Sequence, residues 1–405
     1  MRTAGIICEY NPFHAGHKRQ IDILRGMGYD RVVCVMSGNY TQRGEMAIFD
    51  KYTRAESAIM GGADIVLELP FPYSSFSAEG FAASGVHILS SVGVDAICFG
   101  SECADISLLE RAAEALISPE FKEKYSELIK GGRGAAAAYF DAIGAITNES
   151  STLLSNDILG ISYIAAIKKS GAKIDMIPIK RDGAAYNEKE LSLSVLPSAS
   201  AIRERIKNGS DELASALQGF IPEPSLTALL SAKDQGLAPA LLNNVATEIL
   251  SFFKLLSPKE IKARAILRSN GGETVLEDGC GICSRLCNIA RECDDLDDFL
   301  KKACTSKYTD ARINRVILFS LLGVSDKLAH ALPEYTVLLA ANGNGRDLLS
   351  ELRKKCDFPI VTKPSDAPDG IHKSIAEAAD SLYSQAVPTK QSHDFFIKSH
   401  PFMNK

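Results

Sequence analysis

The chain has 405 residues, of which 46% are hydrophobic and 23% are charged, and its formal net charge is −5. These fractions are typical of soluble globular proteins and exclude a disordered or fibrous chain. At about 100 to 200 residues per domain, the length predicts two or three domains. The acidic balance excludes attraction to nucleic acid through bulk charge, although it allows a local basic face.

No apolar run reaches the roughly 18 to 20 residues that a membrane-spanning helix needs. The first residues lead directly into a short strand pattern, without the pattern of a signal peptide. We therefore expect a cytoplasmic protein that does not associate with a membrane. Ten cysteines in such a chain are expected to be thiols or metal ligands and not disulfides.

Short apolar runs alternate with helical patterns between residues 3 and 208, which predicts an α/β fold with a parallel sheet buried on both faces. The predicted strands are Ala4 to Cys8, Arg31 to Met36, Ile65 to Leu69, Ala96 to Phe99 and Ile174 to Ile179.

Capping residues and glycines delimit the helices between these strands. The first helix is predicted from about Gly16 to the glycines at 26 and 28. Asp50 and Ser77 are predicted N-caps of the second and third helices. A helical insertion is expected at about residues 105–150, before the last strand.

After about residue 209, strand patterns become rare and helical periods predict a mainly α-helical second half. The helical runs are Asn243 to Leu256, Pro258 to Ser269, Gly281 to Cys293 and Thr309 to Leu322. One late apolar segment, Thr336 to Ala341, is a candidate strand, with Phe358 to Thr362 as its possible partner. We predict two domains, residues 1–208 and 209–405, that pack against each other.

Two histidines follow the first predicted strand. His14 lies in the loop that begins at Asn11, and His17 lies in the first turn of the next helix, with Gly16 between them. Helix N-termini attract anions, and ligands bind at the carboxyl ends of parallel strands. Donors fixed there can stabilise the charge that develops when a nucleophile attacks an α-phosphate. An isolated H-x-G-H would suit a surface turn equally well, but this placement predicts an ATP site with His14 and His17 as catalytic groups.

A second phosphate-binding pattern opens the helix after the last strand, at Pro197 to Arg203. Ser198 or Ser200 can cap that helix while Arg203 and the first N–H groups face a β- or γ-phosphate. By itself the pattern favours a simple N-cap. Together with the histidine loop it predicts a phosphate clamp.

Polar segments also stand where other predicted strands or helices begin or end. They are Phe99 to Glu102, Asn156-Asp157 and Lys180-Arg181, and alone they favour a tight turn, a helix cap and a solvated strand end. The loop from Ser37 to Glu45 suits substrate or RNA contact as well as it suits an ordinary surface loop.

Four cysteines invite a metal interpretation: Cys280, Cys283, Cys287 and Cys293. The first three share one helical stripe, where cysteine behaves as a small buried hydrophobe. Since no second C-x-x-C or histidine pair completes a zinc site, core packing is favoured over metal binding.

The sequence from Gly5 to His17 resembles the bacterial tRNA(Met) cytidine acetate ligases, H-x-G-H nucleotidyltransferases with a Rossmann-like sheet. The likeness continues in order over nearly the whole chain. Its further segments are Ser37 to Asn39, Gln42 to Glu45, Glu68 to Pro70, Phe99 to Glu102, Asn156 to Gly160, Lys180-Arg181, Ser198 to Arg203 and Lys307 to Arg315.

The resemblance implies that ATP activates acetate as acetyl-adenylate, with release of pyrophosphate, and that the acetyl group then passes to N4 of the wobble cytidine of elongator tRNA(Met). Ser200 and Arg203 match the second phosphate motif of the superfamily. The full implied ATP-binding set is Ile7, Cys8, Glu9, Tyr10, Asn11, Pro12, Phe13, His14, Ala15, Gly16, His17, Lys18, Arg19, Gln20, Gly100, Asn156, Arg181, Ser200 and Arg203. Phosphate chemistry adds the expectation of Mg²⁺ with the triphosphate.

Basic residues supply candidates for tRNA contact, and no DNA partner is expected. Lys307, Arg312 and Arg315 share one helical pattern, and Arg43, Lys51 and Arg54 lie near the expected catalytic edge. The alternative for the first group is an ordinary solvated helix face.

The sequence departs from the family pattern at three places. Ala15 replaces the usual Asn, and Met46 replaces a Pro. The family segment E-G-L-E-N-R-L is here Cys280 to Leu286, so that two carboxylates are replaced by thiols.

Two other functions remain open at this point. One is an adenylyltransferase that acts on a small phosphorylated acceptor, although the long helical second half disfavours it. The other is a non-catalytic RNA-binding protein with a vestigial nucleotide pocket, which the intact His14, Gly16, His17 and Arg203 disfavour.

Overall fold

The computed structural model describes residues 1–148, 153, 155–181, 199–207, 213–264, 281–305, 308–324, 328 and 331–404. In this part of the chain, apolar runs form an eight-stranded sheet. Its strands β1 to β8 are Thr3–Cys8, Arg31–Ser37, Ile65–Leu69, Ala96–Ser101, Asp175–Lys180, Thr336–Ala341, Ile360–Val361 and Phe402–Met403. The five strands predicted before residue 208 are confirmed.

The strand order is β5-β4-β1-β2-β3-β6-β7, and β8 also pairs with β6. Strands β1 to β5 are all parallel, with β2 and β4 on either side of β1. The winding therefore reverses at β1, and the carboxyl end of this strand opens on the crevice where such sheets bind ligands.

Helices cover both faces of the sheet and form the insertion and most of the second half. Helices α1 to α17 are Ala15–Gly26, Lys51–Met60, Ala78–Ser91, Ile106–Ile117, Pro119–Lys130, Ala135–Thr147, Ser155–Ser170, Ala199–Lys207, Leu213–Leu217, Glu223–Asp234, Ala246–Leu255, Pro258–Arg264, Gly281–Glu292, Leu296–Ala303, Asp310–Leu322, Gly343–Lys355 and Ile371–Ala386. Short 3₁₀ helices are Tyr73–Ser75, Leu242–Val245 and Pro364–Asp366.

The predicted helix starts are confirmed at α1 and α2. Asp50 caps α2, because its carboxylate accepts the backbone N–H groups of Tyr52 and Thr53. Ser77 occupies the N-cap position of α3 but makes no capping bond through its side chain.

Alternate residues of β1 pack on opposite faces of the sheet. Ile7 packs in the core that includes α3, whereas Ile6 packs in the core that includes α1 and α2. Gly85 allows α3 to approach closely, because a Cβ at this position would lie 2.7 Å from Cδ1 of Ile7. These contacts fix the position from which the histidine loop leaves the sheet.

The sheet also takes strands from the second half of the chain. Strand β6 lies antiparallel to β3, and β7 pairs with β6, which confirms the late strand and its partner. Residues on both sides of position 208 thus build one sheet, although α10 to α15 are helical as expected. The division into domains 1–208 and 209–405 stays a prediction.

A buried ionic network joins α17 to α2 and β3. The ammonium of Lys51 donates to both carboxylate oxygens of Glu68, at 2.9 and 3.0 Å, and to Oδ2 of Asp380 at 2.6 Å. Asn39 donates to Oδ1 of Asp380 at 2.9 Å and accepts the backbone N–H of Lys51 at 2.8 Å. The C-terminal helix is therefore fixed to the sheet beside the loop that follows β2.

Candidate active site

The loop between β1 and α1 is held by two aromatic side chains. Tyr10 and Phe13 are 1% and 0% exposed, and their rings meet edge to face at 5.0 Å between centroids. Phe13 lies against Gly61, where a Cβ would overlap its ring. Tyr10 also contacts the ring of His17, at 4.7 Å between centroids. The loop that presents the histidines is thus anchored in the core.

His14 and His17 cap α1 and stack on each other. Nδ1 of His14 accepts the N–H of Gly16 at 3.0 Å, Nδ1 of His17 accepts the N–H of His14 at 3.3 Å, and the two rings lie 3.7 Å apart. A nitrogen that accepts a backbone N–H has no proton of its own. Each neutral ring therefore has its proton on Nε2, which is left as a donor for a ligand.

Burial keeps both imidazoles neutral. Loss of water contact, followed by the positive charges of Arg181 and Arg203, lowers the pKa of His14 to about 3. Burial, His14 and Arg181 lower the pKa of His17 well below its usual value. Near pH 7 both rings act as neutral N–H donors in a region of positive potential, which favours the binding of phosphate.

The arginines that create this potential come from two other elements. Arg181 follows β5 and crosses the end of β4, where a Cβ at Gly100 would lie 3.2 Å from its Cγ. Arg203, in α8, donates to the carbonyl of Asn11 at 3.0 Å and to Oγ of Ser200 at 3.1 Å. The structure therefore joins the Ser200 and Arg203 motif to the histidine loop, as the clamp prediction requires. Ser198 lies outside the described residues.

The predicted segments after β4 and before α7 hold each other in place. Oδ1 of Asp157 accepts hydrogen bonds from the hydroxyl of Ser101, at 2.6 Å, and from the N–H of Glu102, at 3.0 Å. Glu102 in turn accepts the N–H of Asp157 at 3.1 Å and the side-chain amide of Asn156. This reciprocal pair fixes Asn156 beside the end of β4, on the side of β1 opposite β2.

The first N–H groups of α1 have partners within the protein. The first N–H groups of a helix often bind an anion, but here Ala15 donates to the carbonyl of Phe220 at 2.8 Å, and Gly16 donates to His14. The small Gly16 makes this cap possible, since a Cβ there would lie 2.9 Å from Cε1 of His14. Phosphate contact at this end of α1 is left to the histidine Nε2 groups.

Residues of the implied ATP-binding segment differ in what their side chains can reach. Ile7, Tyr10, Pro12 and Phe13 are buried in protein, so that a contact of theirs with ATP would need the main chain. Oδ1 of Asn11 accepts the N–H of Ile48. Lys18 pairs with Asp22, and Gln20 donates to Sγ of Cys98. Cys8 is half-buried, and Arg19 is exposed. Their roles as ATP ligands stay predictions.

The expectation that Lys51 and Arg54 contact tRNA is wrong. Lys51 is 1% exposed and is enclosed by Glu68 and Asp380. Arg54 is 0% exposed and donates to the carbonyls of Phe49, Glu9, Ser37 and Gly38. It holds together the carboxyl ends of β1 and β2 and has no surface to offer to RNA.

The other basic candidates form a cluster of guanidinium groups where the loop after β2 meets α15. Nη1 of Arg315 donates to the carbonyl of Gln42 at 3.1 Å. Burial, followed by the positive charges of Arg312 and Arg43, lowers the pKa of Arg315 to about 10. Gly44 (φ +71°) allows the contact, because a Cβ there would lie 2.7 Å from the backbone nitrogen of Arg315. Arg43 is exposed and Arg312 half-buried, and Lys307 lies outside the described residues.

The departures from the family pattern fall mainly in the interior. Cys283, Cys287 and Cys293 are buried in the core, which confirms the packing interpretation for these three, and Cys280 lies outside the described residues. Met46 is also buried in the core. Over the described ranges, no group of three or more His, Cys, Asp or Glu side chains could hold a metal ion. Nor does that part of the chain contain a helix long and apolar enough to span a membrane.

Comparison with known proteins places this geometry in a family context. Residues 1–395 match the family model described as HIGH Nucleotidyl Transferase. The tRNA(Met) cytidine acetate ligase of Acetivibrio thermocellus is 34% identical over 381 residues, which cover 90% of this chain and 89% of that protein. The enzyme of the same name from Caldanaerobacter subterraneus is 33% identical, over 100% of this chain and 99% of that protein.

Solved structures agree with the sequence comparison. Apo TmcAL from Thermotoga maritima superposes over 100% of both chains, with a TM-score of 0.88 and 31% identity. The same protein bound to alpha-thio ATP superposes over 100% of both chains, with a TM-score of 0.85 and 30% identity. The parallel sheet and its helices are thus those of a structure that has been solved with an ATP analogue.

Proposed function

The chain belongs to the tRNA(Met) cytidine acetate ligase family of HIGH nucleotidyl transferases, and on this premise we propose that it acetylates elongator tRNA(Met) with acetate and ATP. The observation that supports this most directly is the convergence of His14, His17, Arg181 and Arg203 at the carboxyl end of β1. We place the reaction in the cytoplasm, where tRNA and ATP are available, with no part for DNA or a membrane.

In the first step, a carboxylate oxygen of acetate attacks the α-phosphorus of ATP, and pyrophosphate leaves. Charge builds on the non-bridging oxygens and on the leaving group. The two Nε2–H groups and the guanidinium groups of Arg181 and Arg203 can stabilise that charge. The histidines and Arg203 need no reorganisation for this, because hydrogen bonds fix their positions before ATP binds. In the second step, N4 of the wobble cytidine attacks the acetyl carbonyl carbon, and AMP leaves.

Mg²⁺ is part of this proposal as a partner of the triphosphate. Mg²⁺ usually keeps several water ligands and takes the rest from phosphates and one or two carboxylates. The absence of a clustered set of ligands among the described residues fits an ion held mainly by ATP. When bound, it would neutralise charge on the phosphates that leave as pyrophosphate.

An exchange assay tests the first step and separates it from adenylyl transfer to a phosphorylated acceptor. Labelled pyrophosphate should appear in ATP when the protein is incubated with ATP and acetate, and omission of acetate should abolish the exchange. Exchange that ignores acetate but requires a phosphorylated acceptor would contradict the proposal.

The guanidinium cluster is proposed to bind the tRNA backbone. The Arg312→Glu variant should weaken tRNA binding about 10-fold or more at low salt, because it removes one phosphate contact and adds a repulsive charge. Acetate-dependent pyrophosphate exchange should remain within about threefold. Filter binding at several salt concentrations would measure the effect, and the slope against salt should become shallower.

Arg353→Glu is the matched control, since Arg353 is exposed on α16, and Glu351 of this helix pairs with Arg31 at the opposite end of β2 from the loop. It makes the same change of charge and should leave tRNA affinity within about threefold. Equal losses in the two variants would show that the effect comes from net charge and not from the cluster.

A further inference from the structure

The carboxylate of Glu9 lies between the phosphate-binding groups and the guanidinium cluster. Glu9 directly follows β1 and lies two residues before Asn11. The carbonyl of Asn11 accepts a hydrogen bond from Arg203. On its other side, Oε1 of Glu9 accepts the N–H of Gln42 at 2.7 Å, one residue before Arg43. The side chain is half-buried. It therefore lies between the groups that the proposed function assigns to ATP and those that it assigns to tRNA.

The position of Glu9 is fixed from two directions. Arg54 donates to its backbone carbonyl and ties the end of β1 to that of β2. Gln42 is held in turn, because its side chain donates to the carbonyl of Phe76 at 3.2 Å and its own carbonyl accepts Arg315 at 3.1 Å. One carboxylate oxygen, Oε1, is thus held by a hydrogen bond. Among the residues that the structure describes, none donates a hydrogen bond to Oε2.

Burial makes the carboxylate of Glu9 more basic. Burial raises its pKa most strongly, and the charge of Glu45 also raises it. The N–H of Gln42 and the charges of Arg203 and Arg54 lower it, and the net shift is upward. A raised pKa makes the ionised carboxylate a better proton acceptor.

We propose that Glu9 is the general base of the acyl-transfer step, an inference that rests on the proposed function. The N4 amine of cytidine attacks the acetyl carbonyl carbon, a C–N bond forms, and the bond from that carbon to the phosphate oxygen of AMP breaks. Oε2 of Glu9 takes the proton that the amine loses, and AMP leaves with the electron pair of the broken bond. Glu9 later releases the proton to water.

A purely structural role is the rival explanation, in which Glu9 only anchors the loop through Gln42. The Glu9→Gln variant separates the two roles, because a side-chain amide keeps an acceptor oxygen for the N–H of Gln42 but cannot take a proton. The first step needs no base, since acetate is already ionised. A general base should therefore affect the second step alone.

The test measures the two steps separately in the full-length protein. In Glu9→Gln, single-turnover transfer of acetyl to tRNA(Met) should fall about 10²- to 10⁴-fold further than acetate-dependent pyrophosphate exchange does. In the wild type, the transfer rate should fall as pH drops through the raised pKa of Glu9, and this acidic limb should vanish in the variant.

Glu56→Gln removes a half-buried carboxylate from α2 and controls for a general loss of negative charge. Pyrophosphate exchange and acetyl transfer should both proceed at the wild-type rate in this variant. Transfer within threefold of wild type in Glu9→Gln, or equal losses in both steps, would overturn the inference. The inference would also be overturned if Glu45→Gln lost acetyl transfer selectively while Glu9→Gln kept the wild-type transfer rate. If wild-type protein exchanges pyrophosphate but never acetylates tRNA, the proposed function fails before the role of Glu9 is tested.

Discussion

Replacement of His17 by alanine should lower acetyl-adenylate formation by about 10²- to 10³-fold, the usual cost of removing one fixed donor that stabilises transition-state charge. His17 also supports His14, because its Nδ1 accepts the N–H of His14 and the two rings stack at 3.7 Å. The loss should therefore reach or exceed the upper end of this range. Acetate-dependent pyrophosphate exchange measures it.

The same variant should bind tRNA within a few-fold of wild type, since the guanidinium cluster lies on the loop after β2 and on α15. His393→Ala is a suitable control, because His393 is exposed near the C-terminus. An exchange rate in His17→Ala within tenfold of wild type would show that the histidine pair does not stabilise the transferring phosphate.

Replacement of Lys51 by methionine should lower the free energy of unfolding by about 3 to 5 kcal/mol, because it leaves buried carboxylates without their counter-charge. Burial alone would lower the pKa of Lys51, but the charges of Asp380 and Glu68 outweigh it and raise the pKa, so the ammonium is held ionised. Urea denaturation at pH 7 would measure the loss.

Two further variants make this prediction specific. Lys51→Met combined with Asp380→Asn should recover part of the loss, because one of the two buried negative charges is then removed. Lys354→Met removes an exposed lysine from the end of α16 and should change the free energy of unfolding by less than about 0.5 kcal/mol. Indistinguishable stabilities for Lys51→Met and Lys354→Met would contradict a structural role for the network.

The parts of the fold that could be predicted are those set by local pattern. Short apolar runs predicted β1 to β4 because buried parallel strands need apolar residues on both faces. The same pattern predicted β5, although this strand lies at the edge of the sheet and is only half-buried. Asp50 was identified as a cap because its bonds reach only to Tyr52 and Thr53. The histidine loop could also be predicted from neighbours in the sequence, because its assignment as a phosphate site depends on its position directly after β1.

What could not be predicted depends on partners that are distant in sequence. Lys51 has the sequence context of an exposed base on a helix, but its partner Asp380 is 329 positions away. The N–H of Ala15 is taken by Phe220, which no local pattern connects to α1. The antiparallel pairing of β6 with β3 is a third such contact. Each depends on how the second half of the chain packs on the first.

The transfer of labelled acetate to tRNA is the most direct measurement of the proposed reaction. Wild-type protein, ATP, Mg²⁺ and labelled acetate should be incubated with elongator tRNA(Met) that has either cytidine or uridine at the wobble position. We expect ATP-dependent label that remains with the cytidine-containing tRNA after purification and is recovered as N4-acetylcytidine after digestion. No label is expected in the uridine form. Equal labelling of the two forms, or no label in either despite acetate-dependent exchange, would contradict the proposed reaction.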